Sequence, residues 1–254
     1  MKISLVQQNI LWSNPAANIA HLEDILPAKS GSTDLILLPE MFTTGFATSA
    51  VGIAEEQPYS SLEWMKRKAA SVGCAVAGSI ATREGNNYYN RFHFVKPDGS
   101  VCSYDKHHLF TYGGEHMRYT AGEERVVVEF RGVRFMLAVC YDLRFPVWLR
   151  GRGDYDALLV VASWPAVRRK AWDALLRARA IENQCYVVAV NRVGEDPSNA
   201  YNGGSVLIDP HGDDVVAASD GIEEIVEAEI DMNALQSFRG QFPVLNDADP
   251  YKLF

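Results

Sequence analysis

Short apolar runs of strand length alternate with helical periods from one end of this chain to the other, and that alternation most narrows the folds open to it. Asp34-Leu-Ile-Leu-Leu-Pro-Glu40, Val133-Arg-Phe-Met-Leu-Ala-Val-Cys140 and Asp156-Ala-Leu-Leu-Val-Val-Ala-Ser163 all read as buried strands. Asn14-Pro15 opens a helix with a capping residue and a proline in its first turn, and Ile19, Leu22, Ile25 and Leu26 supply its apolar stripe. Further helices are predicted near 60–72, over 170–183 and after a cap at Asp231. Strands are predicted around 73–80, 89–96, 101–104, 125–130, 185–190, 203–208 and 224–230. Turns at Pro97-Asp-Gly-Ser, Arg131-Gly132 and Pro210-His-Gly-Asp make hairpins of several of them. A (β/α)8 barrel needs a helix after nearly every strand, so the hairpins point instead to an α/β layered sandwich. No linker or internal repeat divides residues 1–254, and one domain is expected.

Composition removes several classes of function. With 48% apolar and 22% charged residues the chain is that of an ordinary globular protein. Its net charge is −8 and its longest basic run is Arg168-Arg169-Lys170, so a phosphate backbone is not an expected partner. No run of eighteen apolar residues could span a membrane. Met1-Lys-Ile-Ser-Leu-Val alternates like a strand rather than forming the core of a signal peptide, which makes the cytoplasm the expected location. The four cysteines show no C-x-x-C pairing and are expected as free thiols; Cys74, Cys102 and Cys185 read as small buried hydrophobes.

Three residues at strand ends do not fit a core. Glu40 closes one buried run, Lys106 follows Val101-Cys-Ser-Tyr-Asp105, and Cys140 ends another run before the polar and aromatic Tyr141-Asp-Leu-Arg-Phe-Pro146. A carboxylate, an ammonium and a thiol on rigid strand termini are a base, an oxyanion stabiliser and a nucleophile, the parts needed for acyl transfer through a thioester. His107, His108 and His116, with Asp105 and Glu115, match no zinc spacing, so no metal is expected. The chain has neither G-x-G-x-x-G nor G-x-x-x-x-G-K-[ST], so no nucleotide or other cofactor is expected. On the 170–183 helix, Arg179 shares a face with Trp172, Leu175 and Leu176, an odd neighbourhood for an arginine.

Four segments in order, Leu38-Pro-Glu40, Tyr104-Asp-Lys-His-His-Leu-Phe110, Cys140-Tyr-Asp-Leu-Arg-Phe-Pro146 and Arg177-Ala-Arg-Ala-Ile-Glu-Asn183, followed by Asn191-Arg192, resemble the nitrilase (carbon–nitrogen hydrolase) superfamily. The resemblance implies a four-layer αββα sandwich, a Glu40–Lys106–Cys140 triad, Glu115 as an orienter of Lys106 or substrate, and a homodimer or larger homo-oligomer. Pro39-Glu-Met-Phe-Thr-Thr-Gly-Phe46 and Tyr112-Gly-Gly-Glu-His-Met-Arg-Tyr-Thr-Ala-Gly122 resemble its ω-amidase branch, which implies hydrolysis of the terminal amide of 2-oxoglutaramate or 2-oxosuccinamate. Alternatives are an amidase of the same superfamily acting on N-carbamoyl or aliphatic amides, and a non-catalytic binding protein of this fold. On that reading the Tyr141 N–H helps hold the oxyanion, and Trp164, Phe42 and Phe46 are candidate pocket walls. Arg144, His116 and Arg118 are candidates for a substrate carboxylate, with Arg144 equally able to pair Asp142 or Glu182. The apolar tail 238–254 is a candidate to dock on a neighbour.

Overall fold

The structure is a computed structural model that describes residues 1–26, 33–250 and 252. Its strands are β1 (Lys2–Gln7), β2 (Leu35–Leu37), β3 (Ala75–Glu84), β4 (Asn87–Val95), β5 (Val101–Asp105), β6 (Val127–Phe130) and β7 (Val133–Val139). They continue with β8 (Ala157–Ala162), β9 (Tyr186–Asn191), β10 (Val193–Glu195), β11 (Ala200–Asn202), β12 (Val206–Ile208), β13 (Asp214–Ala217) and β14 (Glu224–Glu229). Among the described residues they make two six-stranded sheets, ordered β14-β1-β2-β3-β4-β5 and β13-β12-β9-β8-β7-β6, plus a β10-β11 hairpin.

Parallel neighbours need crossovers, and the helices supply them. β1, β2 and β3 are parallel, joined through α1 (Pro15–Ile25) and α2 (Ser60–Val72). β7, β8 and β9 are parallel, with α4 (Arg169–Asn183) crossing from β8 to β9. Strand alternation then sorts side chains into layers. Ile3, Leu5, Leu35 and Leu37 point into one core with Phe135, Leu137, Leu159 and Val188 of the other sheet. Their neighbours Val6, Ile36 and Leu38 point the other way, onto Leu22 of α1 and Trp64, Met65 and Ala69 of α2. Trp172, Leu176 and Ala180 of α4 cover the second sheet. The result is helix, sheet, sheet, helix.

Most elements lie within a residue or two of their sequence-based positions; the clearest departure is 203–208. That run is interrupted because Gly203 and Gly204 both have positive φ, at 77° and 91°. A Cβ on Gly203 would sit 2.2 Å from the Gln7 Oε1, and one on Gly204 2.6 Å from the Arg169 guanidinium. The backbone turns there, leaving β11 as a partner of β10 and only Val206–Ile208 in the main sheet. Arg179 is explained too: from a buried position it donates to the Leu143 carbonyl at 2.7 Å and to Glu182 at 2.9 Å, tying α4 to the turn after β7. After β14 the chain forms α5 (Met232–Gln241), whose Arg239 binds Asp156 at 2.9 Å and the Gln184 carbonyl at 2.9 Å. The tail is thus docked on its own subunit as far as α5, while Tyr251, Leu253 and Phe254 lie outside the described residues.

Candidate active site

β2, β5, β7 and β8 all run toward the same edge of the molecule, and each delivers one polar group just past its carboxyl end: Glu40, Lys106, Cys140 and Ser163. Two of these exits are left-handed elbows. Cys140 itself has φ of 45°, and Met41, directly after Glu40, has φ of 46°. Neither residue visits that region freely, at a cost of about 1–2 kcal/mol each. The elbow at Cys140 turns the chain from β7 into a short 3-10 turn, Cys140–Arg144.

The buried polar cluster is densely connected. Lys106 Nζ donates to Glu40 Oε1 at 3.0 Å and to both oxygens of Glu115, at 3.1 and 2.9 Å. Asn90, on β4, donates to Glu40 at 2.7 Å and to Glu115 at 3.2 Å, and Ser79 Oγ donates to the Asn90 amide oxygen at 2.9 Å. The second Glu40 oxygen accepts from the Ser163 N–H at 2.8 Å, which joins the two sheets at the site. Burial alone would push the Lys106 ammonium down, but Glu115 and then Glu40 outweigh it and hold it above its ordinary range. Burial pushes the Glu115 carboxyl up, against Lys106; all four of its contacts, including the Phe110 N–H at 2.6 Å, are donors and suit the ionised form. Burial first, then the negative Glu40, hold the Cys140 thiol well above its usual range.

Above this cluster opens a cavity of about 370 Å³. Lys106, Cys140, Tyr141, Arg144, Ser163 and Trp164 line it, as do Phe46 and Phe110. The sequence-derived candidates therefore divide. Glu40, Lys106, Glu115 and Cys140 come together at the floor, and Tyr141, Arg144, Trp164 and Phe46 stand in the walls. Arg144 does not pair Asp142 or Glu182, which have other partners; its guanidinium lies over the Trp164 ring, 4.8 Å from the centroid. Phe42 is not a wall. It is fully buried behind the Glu40 elbow, 5.7 Å from the ring of Trp64, because successive residues of the turn face opposite ways. His116 and Arg118 are exposed outside the cavity, since the short turn Glu115–Met117 buries Glu115 on one side and presents His116 on the other.

Three supporting residues escaped the sequence reading: Asn90, Ser163 and Asp142. Asp142 accepts four bonds, from Tyr104 Oη at 2.7 Å, the Val139 N–H at 2.9 Å, and the His108 N–H and Nδ1 at 2.9 Å each. It clamps the Cys140 turn to the strand end that carries Lys106. Asn90, which shares the inward-facing phase of Phe92 and Phe94 on β4, was the available signal for one of them. Among the described residues no group of three or more His, Cys, Asp or Glu is arranged to hold a metal ion.

A buried carboxylate–ammonium–thiol cluster on an αββα sandwich defines a carbon–nitrogen hydrolase, and the family model of that name matches residues 2–240, so the chain belongs to this family. It is 45% identical to "Omega-amidase YafV" of Escherichia coli K12, over 100% of this chain and 99% of that protein. It is 39% identical to a 2-oxoglutaramate amidase of Bacillus subtilis, over 96% of each. Its fold superposes with a TM-score of 0.97 on the crystal structure of XC1258 from Xanthomonas campestris, described as a CN-hydrolase superfamily protein with an arsenic adduct in the active site. That pair is 43% identical over 100% of this chain and 99% of the other.

Proposed function

We propose that this protein hydrolyses the terminal amide of a small 2-oxo acid amide, 2-oxoglutaramate or 2-oxosuccinamate, to the acid and ammonia through a thioester on Cys140. The observation that carries the reading is the convergence of Glu40, Lys106, Glu115 and Cys140 at the floor of one cavity. The substrate class rests on the names of the full-length relatives and on Arg144, a cation in the wall able to meet a carboxylate.

The thiol rests protonated, because its environment disfavours the thiolate. Glu40 removes its proton as sulfur attacks the amide carbon, so charge moves from one buried site to its neighbour rather than being created there. The carbonyl oxygen becomes an oxyanion held by the Lys106 ammonium and by the Tyr141 N–H, which as the second residue of a 3-10 turn has no carbonyl within that turn to bond. Glu115 keeps Lys106 aimed. The C–N bond then breaks as the Glu40 acid protonates the leaving ammonia, and a thioester remains. Glu40 next takes a proton from water, whose oxygen attacks the thioester carbon. Collapse of that adduct releases the acid, and the proton returns to sulfur.

The protein acts on this reading as one catalytic domain spanning 1–254, located in the cytoplasm; among the described residues no helix is long and apolar enough to cross a membrane. A homodimer or larger assembly fits the exposed apolar side chains of Val147, Val167 and Ile181, and light scattering of the purified chain tests it. The activity is tested by ammonia release from 2-oxoglutaramate, an N-carbamoyl amino acid and an aliphatic nitrile, with Cys140→Ala beside the wild type. Cys140-dependent turnover that favours the oxo acid amide is expected. Preference for another amide overturns the substrate assignment, and turnover by Cys140→Ala overturns the mechanism.

A further inference from the structure

The cavity holds more positive charge than the chemistry at its floor uses. The Lys106 ammonium is already paired, with both Glu40 and Glu115. Asp196 is the one carboxylate in the wall among the described residues, and it is consumed locally by the Tyr201 hydroxyl and by the N–H groups of Ser198 and Asn199, each at 2.7 Å. Arg144 and Arg168 line the same cavity, and neither has a carboxylate partner among the described residues. In a chain with 32 acidic and 24 basic side chains, two half-buried guanidinium groups facing one space, neither paired with an acid among the described residues, are exceptional.

What holds each of them is an aromatic face. Arg144 lies 4.8 Å from the centre of the Trp164 ring, and Arg168 lies 5.3 Å from that of Phe110. Stacking occupies the flat face of a guanidinium and leaves the N–H donors around its edge unspent. Trp164 also couples the two: its ring carries Arg144, while its indole N–H donates to the Arg168 carbonyl at 2.9 Å. The pair is oriented before any ligand arrives, so little side-chain freedom is lost on binding.

We propose that Arg168 is a specificity residue that, with Arg144, forms a two-guanidinium clamp for the planar 2-oxo carboxylate end of the substrate. This rests on the function proposed above and deepens it. A 2-oxo acid presents three nearly coplanar acceptor oxygens, two on the carboxylate and one on the ketone. One fork-shaped guanidinium serves a carboxylate alone; a second is needed to reach the ketone while sharing the charge. An amide lacking that end leaves both half-buried cations unpaired, which is how the cavity rejects it.

The test compares wild type, Arg168→Leu and Arg168→Lys on 2-oxoglutaramate and on pentanamide, which has the same chain length and no acid end. The readout is the ratio of kcat/KM for the two amides. Arg168→Leu should lower that ratio about 10- to 100-fold, the scale of one charge-assisted hydrogen bond, mainly through KM for the oxo acid amide. Arg168→Lys, which keeps the charge without the fork, should recover part of it. A ratio unchanged in Arg168→Leu overturns the proposal, as would equal losses on both amides, the mark of a structural role. Binding of 2-oxopentanoate to Cys140→Ala, followed by calorimetry with and without Arg168→Leu, judges the clamp independently of turnover. If 2-oxoglutaramate is not hydrolysed, the function proposed above falls, yet weakened 2-oxopentanoate binding in the double variant still supports the clamp. Undiminished binding, or none to Cys140→Ala itself, overturns it.

Discussion

Replacing Lys106 with methionine removes the one cation that, among the described residues, pairs with Glu40 and Glu115, and leaves both carboxyl groups in the buried cluster. Methionine fills nearly the same volume, so packing is largely spared and the electrostatic loss is isolated. Three hydrogen bonds disappear, one to Glu40 and two to Glu115, and both carboxyl groups remain fully buried. Breaking one side of a buried ion pair costs about 3–5 kcal/mol. For a chain of this size that corresponds to a fall in Tm of about 6–20 °C. The loss should depend on pH in a definite direction. Burial already holds the Glu115 carboxyl above its ordinary range, and Lys106 is the main force opposing it. Without Lys106 the folded-state value rises further above the unfolded one. Such a group is harmless below the unfolded value and costs stability as pH rises through the folded one. Urea unfolding of Lys106→Met should therefore show its smallest deficit relative to wild type near pH 5 and its largest near pH 8. Adding Glu115→Gln should return part of the deficit at pH 8 and little at pH 5. Ammonia release at the optimum should fall about 10²–10³-fold in kcat, the scale for one lost oxyanion donor. Equal deficits at the two pH values, or a full-strength kcat, would refute the role given to Lys106 between Glu40 and Glu115.

Asp142→Asn sets an amide donor against groups that all donate, so it should cost about 1–3 kcal/mol and lower kcat rather than raise KM; a change in KM alone would refute its positioning role. Cys74 and Cys185 are buried, and burial pushes their thiols up to about 11 and about 12, whereas Cys102 and Cys140 are half-buried. Titration with a disulfide reagent should accordingly find at most two thiols in the native protein and four in denaturant, and reaction of Cys74 or Cys185 without unfolding would contradict the packing. Glu40→Gln should slow both formation and breakdown of the thioester, measured by burst and steady-state ammonia release; near-normal kcat would remove Glu40 from its role.

Much of the fold was legible because buried strands write their burial locally. Runs such as 135–139 and 157–162 are apolar on both faces, and two of the helices, α1 and α5, carry side-chain caps in Asn14 and Asp231, which accept N–H bonds in the first turn. The candidate reactive groups were legible for the same reason in reverse, since Glu40 and Cys140 each follow such a run directly and Lys106 sits at the end of the shorter β5. The run 203–208 misled because two glycines carry no outward sign of the φ they adopt, and the Gln7 and Arg169 groups that crowd them are far away in sequence.

What the sequence by itself determined is the strand–helix order and the identity of the groups at the strand ends, both set by period, burial and chemical type within a few residues. Only the tertiary structure decided which polar residues serve those groups. Asn90 reaches Glu40 across 50 residues, Ser163 across 123, and Asp142 meets Tyr104 across 38. It alone separated Phe46, in the cavity wall, from Phe42, in the core four residues earlier. It alone set Arg144 and Arg168 on two rings above the same cavity. The physical reason is that a side chain's type is fixed by the chain, whereas its partner and its exposure are properties of the space that two sheets enclose when they pack.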